Sequence, residues 1–441
     1  MEWYWAALIL FGLGIGLMML GIPVAIAFFG TNIVAALLFM GGGAGSGAGI
    51  GQIINNGFGA MTSFALVPIP MFLLMGELFY HTGLATRCFN AADKLLGNVR
   101  GRLAYVTLIG GTAFAGPAGS SMGACALLGS LMVPEMMRRG YSKYLSIGPI
   151  MGVGGLAVII PPSALTVLLA TLGRTDVGDL LIAGIIPGLV LAIMYGVLIW
   201  AWTVIDPNAA PAYRADSVSR REKWRLILVD VIPMVGVIVF SVLIMITGWS
   251  TPTEAAALGA VSVMALAACY GTLSWRAFRD SVVGTLRVTV MSFLIIFGSA
   301  TFAQVLAFTG ASSGLMNWAI GFDVTPLSML FIMIGVLLFL GCFMDQLSMM
   351  LLTAPIFFPL AKTLGFDLTW FGLIMLLALE IGYTTPPFGL LLFVMKGVAP
   401  PGTTMRDIYL AGMPFIACVL LLILLIIVFP PLATWLPAIS H

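Results

Sequence analysis

The run Ile159-Ile160-Pro161-Pro162-Ser163 breaks an apolar segment near its middle. Farther along, a second proline pair in Gly382-Tyr383-Thr384-Thr385-Pro386-Pro387 breaks another. Consecutive prolines remove two backbone donors and clash with the preceding turn, so carbonyls one turn back lose their partners. In lipid such a break is tolerated only where the backbone is buried in protein or lines a polar cavity. A second irregularity lies upstream of each break. Leu103 to Met137 is apolar but interrupted by Ala115-Gly116-Pro117-Ala118-Gly119-Ser120-Ser121, and Val324 to Ala361 by Gly341-Cys342-Phe343-Met344-Asp345-Gln346. Each half is about 13–20 residues, short for a crossing of about 20. Both stretches therefore read as re-entrant hairpins.

Composition supplies the setting. Of 441 residues 61% are hydrophobic and 8% charged, against roughly 25% charged in a soluble domain. Mean hydropathy is +1.12. A soluble enzyme, a disordered chain and a nucleic-acid binder are excluded, and an all-α polytopic membrane protein remains. The five cysteines are scattered through apolar runs, in neither a disulfide nor a metal spacing. Crossings are expected at Trp3 to Leu20, Ile22 to Met40, Val67 to Tyr80, Tyr144 to Leu172, Leu180 to Val204, Leu226 to Gly248, Pro252 to Tyr270, Val288 to Phe308, Leu368 to Met395 and Ile408 to Trp435. Lys and Arg in short loops mark the cytoplasmic side. Arg87, Lys94, Arg100 and Arg102 precede the first hairpin, and Arg138, Arg139 and Lys143 follow it, so it enters from the cytoplasm. The loops holding Arg214 to Arg225 and Arg276 to Arg287 lie on the same side. The second hairpin, flanked by Asp323 and Lys362, has no basic excess and enters from outside, and both termini fall outside.

The chain reads as two diverged copies. Thr82-Gly83 matches Thr309-Gly310, Gly116 matches Gly341, Pro134 matches Pro359, Gly140-Tyr141 matches Gly365-Phe366, Pro161-Pro162 matches Pro386-Pro387, and Ala183-Gly184 matches Ala411-Gly412. The division is residues 1–206, with hairpin 1 at about 103–137 and a broken helix at 161–163; a cytoplasmic linker at 207–225; and residues 226–441, with hairpin 2 at about 324–361 and a broken helix at 384–387. Each copy holds five crossings and one hairpin. An odd number of crossings inverts the second copy, and inverted repeats with interrupted helices at matching positions locate a transport site near the bilayer midplane.

Gly116-Pro117-Ala118-Gly119-Ser120-Ser121, Ile160-Pro161-Pro162-Ser163, Ala183-Gly184-Ile185-Ile186-Pro187-Gly188, Thr251-Pro252-Thr253-Glu254-Ala255 and Gly382-Tyr383-Thr384-Thr385-Pro386-Pro387 together resemble the large membrane subunit (DctM-type) of tripartite ATP-independent periplasmic (TRAP) transporters. The resemblance covers roughly Gly21 to Pro401. It implies sodium-coupled uptake of an organic acid, with the hairpin domain moving as an elevator against a scaffold in an ion-transporter-like fold. It also implies a periplasmic substrate-binding protein and a small four-helix (DctQ-type) membrane subunit, expected as a separate chain, in the bacterial inner membrane. The glycine-rich stretch Gly41 to Gly51 matches no family role.

Candidate site residues follow from the breaks. Around hairpin 1 they are Gly116, Gly119, Ser120, Ser121, Pro161, Pro162 and Ser163, whose hydroxyls, with carbonyls such as that of Ile160, suit a hard cation such as Na+. Around hairpin 2 they are Gly341, Asp345, Gln346, Ser348, Gly382, Thr384, Thr385, Pro386 and Pro387. The bland alternatives are close helix packing by small residues and N-capping of the returning half-helix by Asp345. Glu380 stands before the second break and is a candidate to pair with the scaffold or to tune the sodium site. Glu77 and His81 read as interfacial. Thr251-Pro252-Thr253-Glu254 reads as a capping box. Thr86 to Arg100 and Ala311 to Gly321 read as amphipathic arms lying flat on opposite surfaces. No arginine falls at either hairpin tip, so backbone donors at half-helix starts and sodium are left to neutralise an anionic substrate.

With two histidines and no GxxxxGK[ST], intramembrane zinc chemistry and nucleotide hydrolysis are excluded, and no organic cofactor or nucleic-acid partner is expected. A channel is disfavoured, because channels more often gather repeated subunits around one pore. The realistic alternative is a stand-alone sodium- or proton-coupled carboxylate transporter without a binding protein.

Overall fold

The structure is a computed structural model that describes residues 2–40, 48–97, 99–115, 121–211, 219–321, 324–342, 344–386 and 389–440. Gly116, Gly119, Ser120 and Pro387, and most of the Gly41 to Gly51 stretch, lie outside them. Every regular element among the described residues is helical.

The first half of the chain forms α1 (Trp3–Met19), α2 (Val24–Ala35), α3 (Ala48–Met61), α4 (Pro68–His81), α5 (Leu84–Leu96), α6 (Arg102–Ala115), α7 (Ser121–Arg138), α8 (Lys143–Ile159), α9 (Ala164–Gly173), α10 (Val177–Ala183) and α11 (Ile185–Ile205). The second half forms α12 (Arg220–Arg225), α13 (Ile232–Ile246), α14 (Pro252–Cys269), α15 (Trp275–Phe308), α16 (Ala311–Ile320), α17 (Pro326–Gly341), α18 (Gln346–Thr363), α19 (Leu368–Thr384), α20 (Leu390–Val398), α21 (Met405–Val428) and α22 (Pro431–Ser440). Six helical segments are long and apolar enough to cross a bilayer, and the bent pair α8–α9, angled by 46°, makes a seventh. Four further apolar helices, in α1, α2, α17 and α19, are shorter.

Several expected boundaries move. α15 is one helix of 34 residues, about 51 Å at 1.5 Å per residue, and it absorbs Arg276, Arg279 and Arg287 as its first turns instead of leaving them in a loop. The end of the basic linker is helical and runs through a π turn (Leu226–Val231) into α13. The last expected crossing stops at Val428, because Pro430 removes a donor and α22 starts anew. α3, with Asn55 and Asn56, is a helix that the hydropathy pattern does not announce.

The helices pack as two groups. α1–α4 and α13–α15 contact one another, chiefly through α4 and α15; α6–α11 and α17–α22 form a second group around α8, α19 and α21. Small residues set the spacing in the second group. A Cβ on Gly148 or Gly152 would lie 2.5 Å from the Phe415 ring of α21. The short helices α5 and α16 lie where the arms were expected. Each starts after a threonine whose hydroxyl caps back, Thr82 to Leu78 O at 2.5 Å and Thr309 to Val305 O at 2.9 Å. Each then turns on a left-handed glycine, Gly83 at φ 74° and Gly310 at φ 70°, a conformation open to glycine because it has no Cβ. Arg87 of α5 is anchored to the first group by Asp230 at 2.8 Å and by the ring of Tyr270 at 4.4 Å.

The two halves agree in detail at the offset that separates the two proline pairs. α7 and α18 each have 18 residues, and α8 and α19 each have 17. The starts of both pairs, Ser121 with Gln346 and Lys143 with Leu368, keep that same offset. Ser142 and Asp367 both accept from the amide three residues on. Ile160 and Thr385 both end their helices in extended conformation. The Thr251–Glu254 capping box is present, with Glu254 Oε2 accepting from Thr251 N at 2.8 Å.

Candidate functional site

The first break is repaired by side chains. The carbonyl of Val158 would normally accept from residue 162, which is proline and has no N–H. The hydroxyls of Ser163 and Thr166 both donate to it instead, each at 2.7 Å. Ser163 also caps α9 by accepting from Thr166 N at 3.3 Å. The motif at Ala183-Gly184-Ile185-Ile186-Pro187-Gly188 cradles this break. A Cβ on Gly184 would fall 2.0 Å from Ile159 O, and one on Gly188 2.3 Å from the Ile160 side chain. The second break is repaired in the same way. Thr385 N turns to Gly382 O, and the freed Ile381 carbonyl accepts from Thr385 Oγ1 at 2.5 Å and Thr384 Oγ1 at 3.1 Å.

The first residues of two helices converge on one carboxylate. Ser121 opens α7, and Gln346, its counterpart in the second half, opens α18. Ser121 Oγ donates to Glu380 Oε2 at 3.0 Å, and Gln346 Nε2 donates to the same oxygen. Glu380 lies in α19, is 2% exposed, and forms no ion pair among the described residues. Its other oxygen, Oε1, has no hydrogen-bond partner among the described residues. That oxygen occupies the space of an absent side chain, since a Cβ on Gly154 would sit 2.3 Å from it. The residue matching Glu380 in the first half is Gly155, so the carboxylate of one copy fills room left by glycines of the other. Beside it a cavity of about 10 Å³, lined by Tyr195, Thr384, Gly155 and Phe415 among others, has room for about one water-sized occupant.

The other candidates sort by what they touch. Asp345 caps α18, its Oδ2 accepting from Leu347 N at 3.0 Å and Ser348 N at 3.4 Å, while Ser348 Oγ donates to its Oδ1. Its carboxylate is committed to the helix start. Gly341 and Gly382 bring α17 and α19 into backbone contact: a Cβ on Gly341 would lie 2.4 Å from Gly382 Cα. Ser163, Thr384 and Thr385 donate their protons to backbone carbonyls. Pro161 and Pro162 create the first break and Pro386 takes part in the second; Cys342 Sγ meets Pro386 O at 3.9 Å. Glu77 and His81 contact each other at 3.2 Å, at the end of α4, away from the site. Sequence reasoning names Glu380 only as a candidate to pair with the scaffold or tune the sodium site; the structure adds that Ser121 and Gln346 both donate to it. The sequence signal for that place is a lone carboxylate inside an apolar run.

The family model for the tripartite ATP-independent periplasmic transporter, DctM component, matches residues 11–432. The C4-dicarboxylate TRAP transporter large permease protein DctM of Pseudomonas aeruginosa is 34% identical over 386 residues, 86% of this chain and 85% of that protein. Its namesake in Rhodobacter capsulatus is 29% identical over 98% of this chain and 99% of that protein. The sialic acid TRAP transporter large permease protein SiaM of Vibrio cholerae is 27% identical, with 96% of each chain covered. Among solved structures, the YdaH transporter of Alcanivorax borkumensis has the same fold, with a TM-score of 0.61 at 15% identity over 93% of this chain and 98% of that one. On a match spanning nearly its whole length, the chain belongs to the DctM family of TRAP transporters, as a multi-pass inner-membrane permease subunit and not an enzyme.

Proposed function

We propose that this permease imports an organic acid, that sodium drives the uptake, and that the group around α8, α19 and α21 slides as an elevator against the frame of α1–α4 and α13–α15. The observation that carries the reading is the convergence of Ser121 and Gln346, equivalent residues of two hairpins, on Glu380 beside two broken helices. Inverted repeats place such a convergence at the midplane of a carrier. The equal helix lengths at a shared offset support that repeat, and the two left-handed glycines mark matching hinges for the arms. The relatives are named for C4-dicarboxylates, a sialic acid and isethionate, which supports an organic acid as cargo. A periplasmic binding protein delivers it, and a small membrane subunit completes the permease. The isethionate relative is named DctMQ, which supports a small membrane component as partner. The charge pattern supports a periplasmic side for both termini.

Sodium suits the site because hydroxyls and carbonyls at the breaks replace a hydration shell without adding charge. Glu380 supports proton coupling as a second reading: among the described residues it is a buried carboxylate with one unpaired oxygen and no ion pair, an arrangement that favours holding a proton or a cation. A melting titration of the permease in NaCl against KCl and choline chloride tests both. A ligand that binds only the folded state stabilises it by RT ln(1 + [L]/Kd), about 2.7 kcal/mol at a hundredfold excess over Kd. Sodium-specific stabilisation that Ser121→Ala weakens supports the sodium reading. Equal melting in the three salts, with stability that follows pH through Glu380, supports the proton.

A further inference from the structure

A cavity of about 770 Å³ opens between the frame and the second helix group, away from Glu380. That volume falls within the few hundred to about 1,000 Å³ typical of ligand sites. Its frame wall is α3 and α15, with Asn55, Asn56 and Ser299; its other wall is the end of α9 and the second half of α18. Two charged residues line it among those described, Arg174 and Lys362, both cationic. Neither takes part in an ion pair among the described residues. Asp176, two residues from Arg174, is engaged in capping α10 through Asp179 N at 2.9 Å. Both are exposed and stand at helix C-terminal ends, where the helix dipole favours a cation, and both open onto the same cavity.

Arg174 adds a second observation. It caps α9 at φ 53° and ψ 40° and is the one non-glycine residue with positive φ among those described. An L-residue in this conformation costs about 1–2 kcal/mol, and glycine would fill the turn without that cost. The arginine is held where the fold prefers no side chain. The two half-helices that carry these cations begin at the candidate site: α9 at the Pro161-Pro162 break and α18 at Asp345. By helix rise, Arg174 stands roughly 16 Å from the first break and Lys362 roughly 25 Å from the start of α18.

We propose that this vestibule is an anion-intake subsite, in which Arg174 and Lys362 take the carboxylate of an incoming organic acid before it reaches the hairpin tips. The proposal rests on the reading of the chain as an organic-acid importer. The charge pattern puts the vestibule on the outer side, where cargo arrives. A cleft lined by one sign of charge and low-dielectric walls concentrates its counter-ion. The guanidinium suits a carboxylate through paired N–H donors. The asparagine amides and Ser299 on the uncharged frame wall leave the anion bound chiefly from the second helix group.

The test reads the vestibule directly. Ala303→Cys puts a thiol on the cavity wall, and its modification by an anionic and a cationic methanethiosulfonate of equal size is followed in the reconstituted permease by mass spectrometry. The expected result is faster modification by the anionic reagent relative to free thiol. That preference should fall about tenfold when Arg174→Asn and Lys362→Gln are combined; asparagine tolerates the left-handed turn. Arg174→Lys should retain it. Succinate should slow the reaction beyond sodium chloride of equal ionic strength, and the neutralised variant should lose that protection. A charge-blind rate in the parent, a preference that survives neutralisation, or succinate acting no better than chloride would each overturn the subsite. So would neutralised variants that lose only capture of the binding protein, which would assign the cations to a protein contact. Sodium plays no part in this readout, so failure of the coupling reading shows in the melting titration and leaves the charge preference intact.

Discussion

Gly341→Ala places a methyl group where α17 and α19 touch backbone to backbone. The new Cβ would lie 2.4 Å from both Cα and the carbonyl carbon of Gly382, and 2.8 Å from its oxygen. Carbon atoms rest about 3.5–4.0 Å apart, so the end of the hairpin helix and the start of the break must separate by roughly 1 Å. The opposing atoms are backbone, and no side-chain rotation relieves the contact. Overpacking of this kind costs about 1–3 kcal/mol. The displacement falls within a turn of Glu380 and between the two segments that frame the site. We expect earlier melting and a roughly tenfold rise in half-saturating sodium, since 1.4 kcal/mol is a factor of ten in binding. The control is Gly335→Ala in the same helix, where an added Cβ meets nothing within 4 Å; loss of backbone entropy in the unfolded chain should stabilise it by roughly 0.5–1 kcal/mol. Both variants are measured by melting in NaCl and in choline chloride. If Gly341→Ala behaves like Gly335→Ala, the backbone contact does not set the site.

Other expectations follow from the same geometry. Ser121→Ala and Gln346→Ala each remove one donor from Glu380, so each should cost about 1–3 kcal/mol, and a double-mutant cycle by melting should be non-additive by at least about 0.5 kcal/mol. Gly154→Ala drives a Cβ to 2.3 Å from Glu380 Oε1; it should destabilise the chain, and Glu380→Ala in the same chain should restore melting but not the sodium or pH response. Removing both Ser163 and Thr166 hydroxyls, by Ser163→Ala with Thr166→Val, leaves Val158 O without a partner and should cost more than the two single changes together. Thr251→Ala removes a helix cap far from the site and should lower stability by about 1 kcal/mol, with sodium response unchanged.

Much of the local structure is legible because its causes are local. Proline pairs announce broken helices through missing donors, and Thr251 with Glu254 announces a capping box. Short helices, α5 and α16, stand where the sequence suggests the arms. Ser163, Thr384 and Thr385 read as oxygen ligands, and the structure adds that their protons go to nearby backbone carbonyls at the breaks. Asp345 reads both as an ionisable tip residue and as an N-cap, and the cap is present, with both oxygens at the start of α18. What the sequence does not show is which helices meet across the chain, and so which side chains Glu380 faces.

The sequence by itself determined that this chain lives in lipid and that proline pairs at an offset of 225 residues break two of its helices, because hydropathy, proline chemistry and residue spacing are written locally. Only the tertiary structure decided that Ser121 and Gln346, one from each half, share one oxygen of Glu380, that Gly154 leaves room for the other, and that Arg174 and Lys362 line one cavity. Those facts depend on which helices lie side by side, and the surfaces that meet are set by the packing of both halves at once.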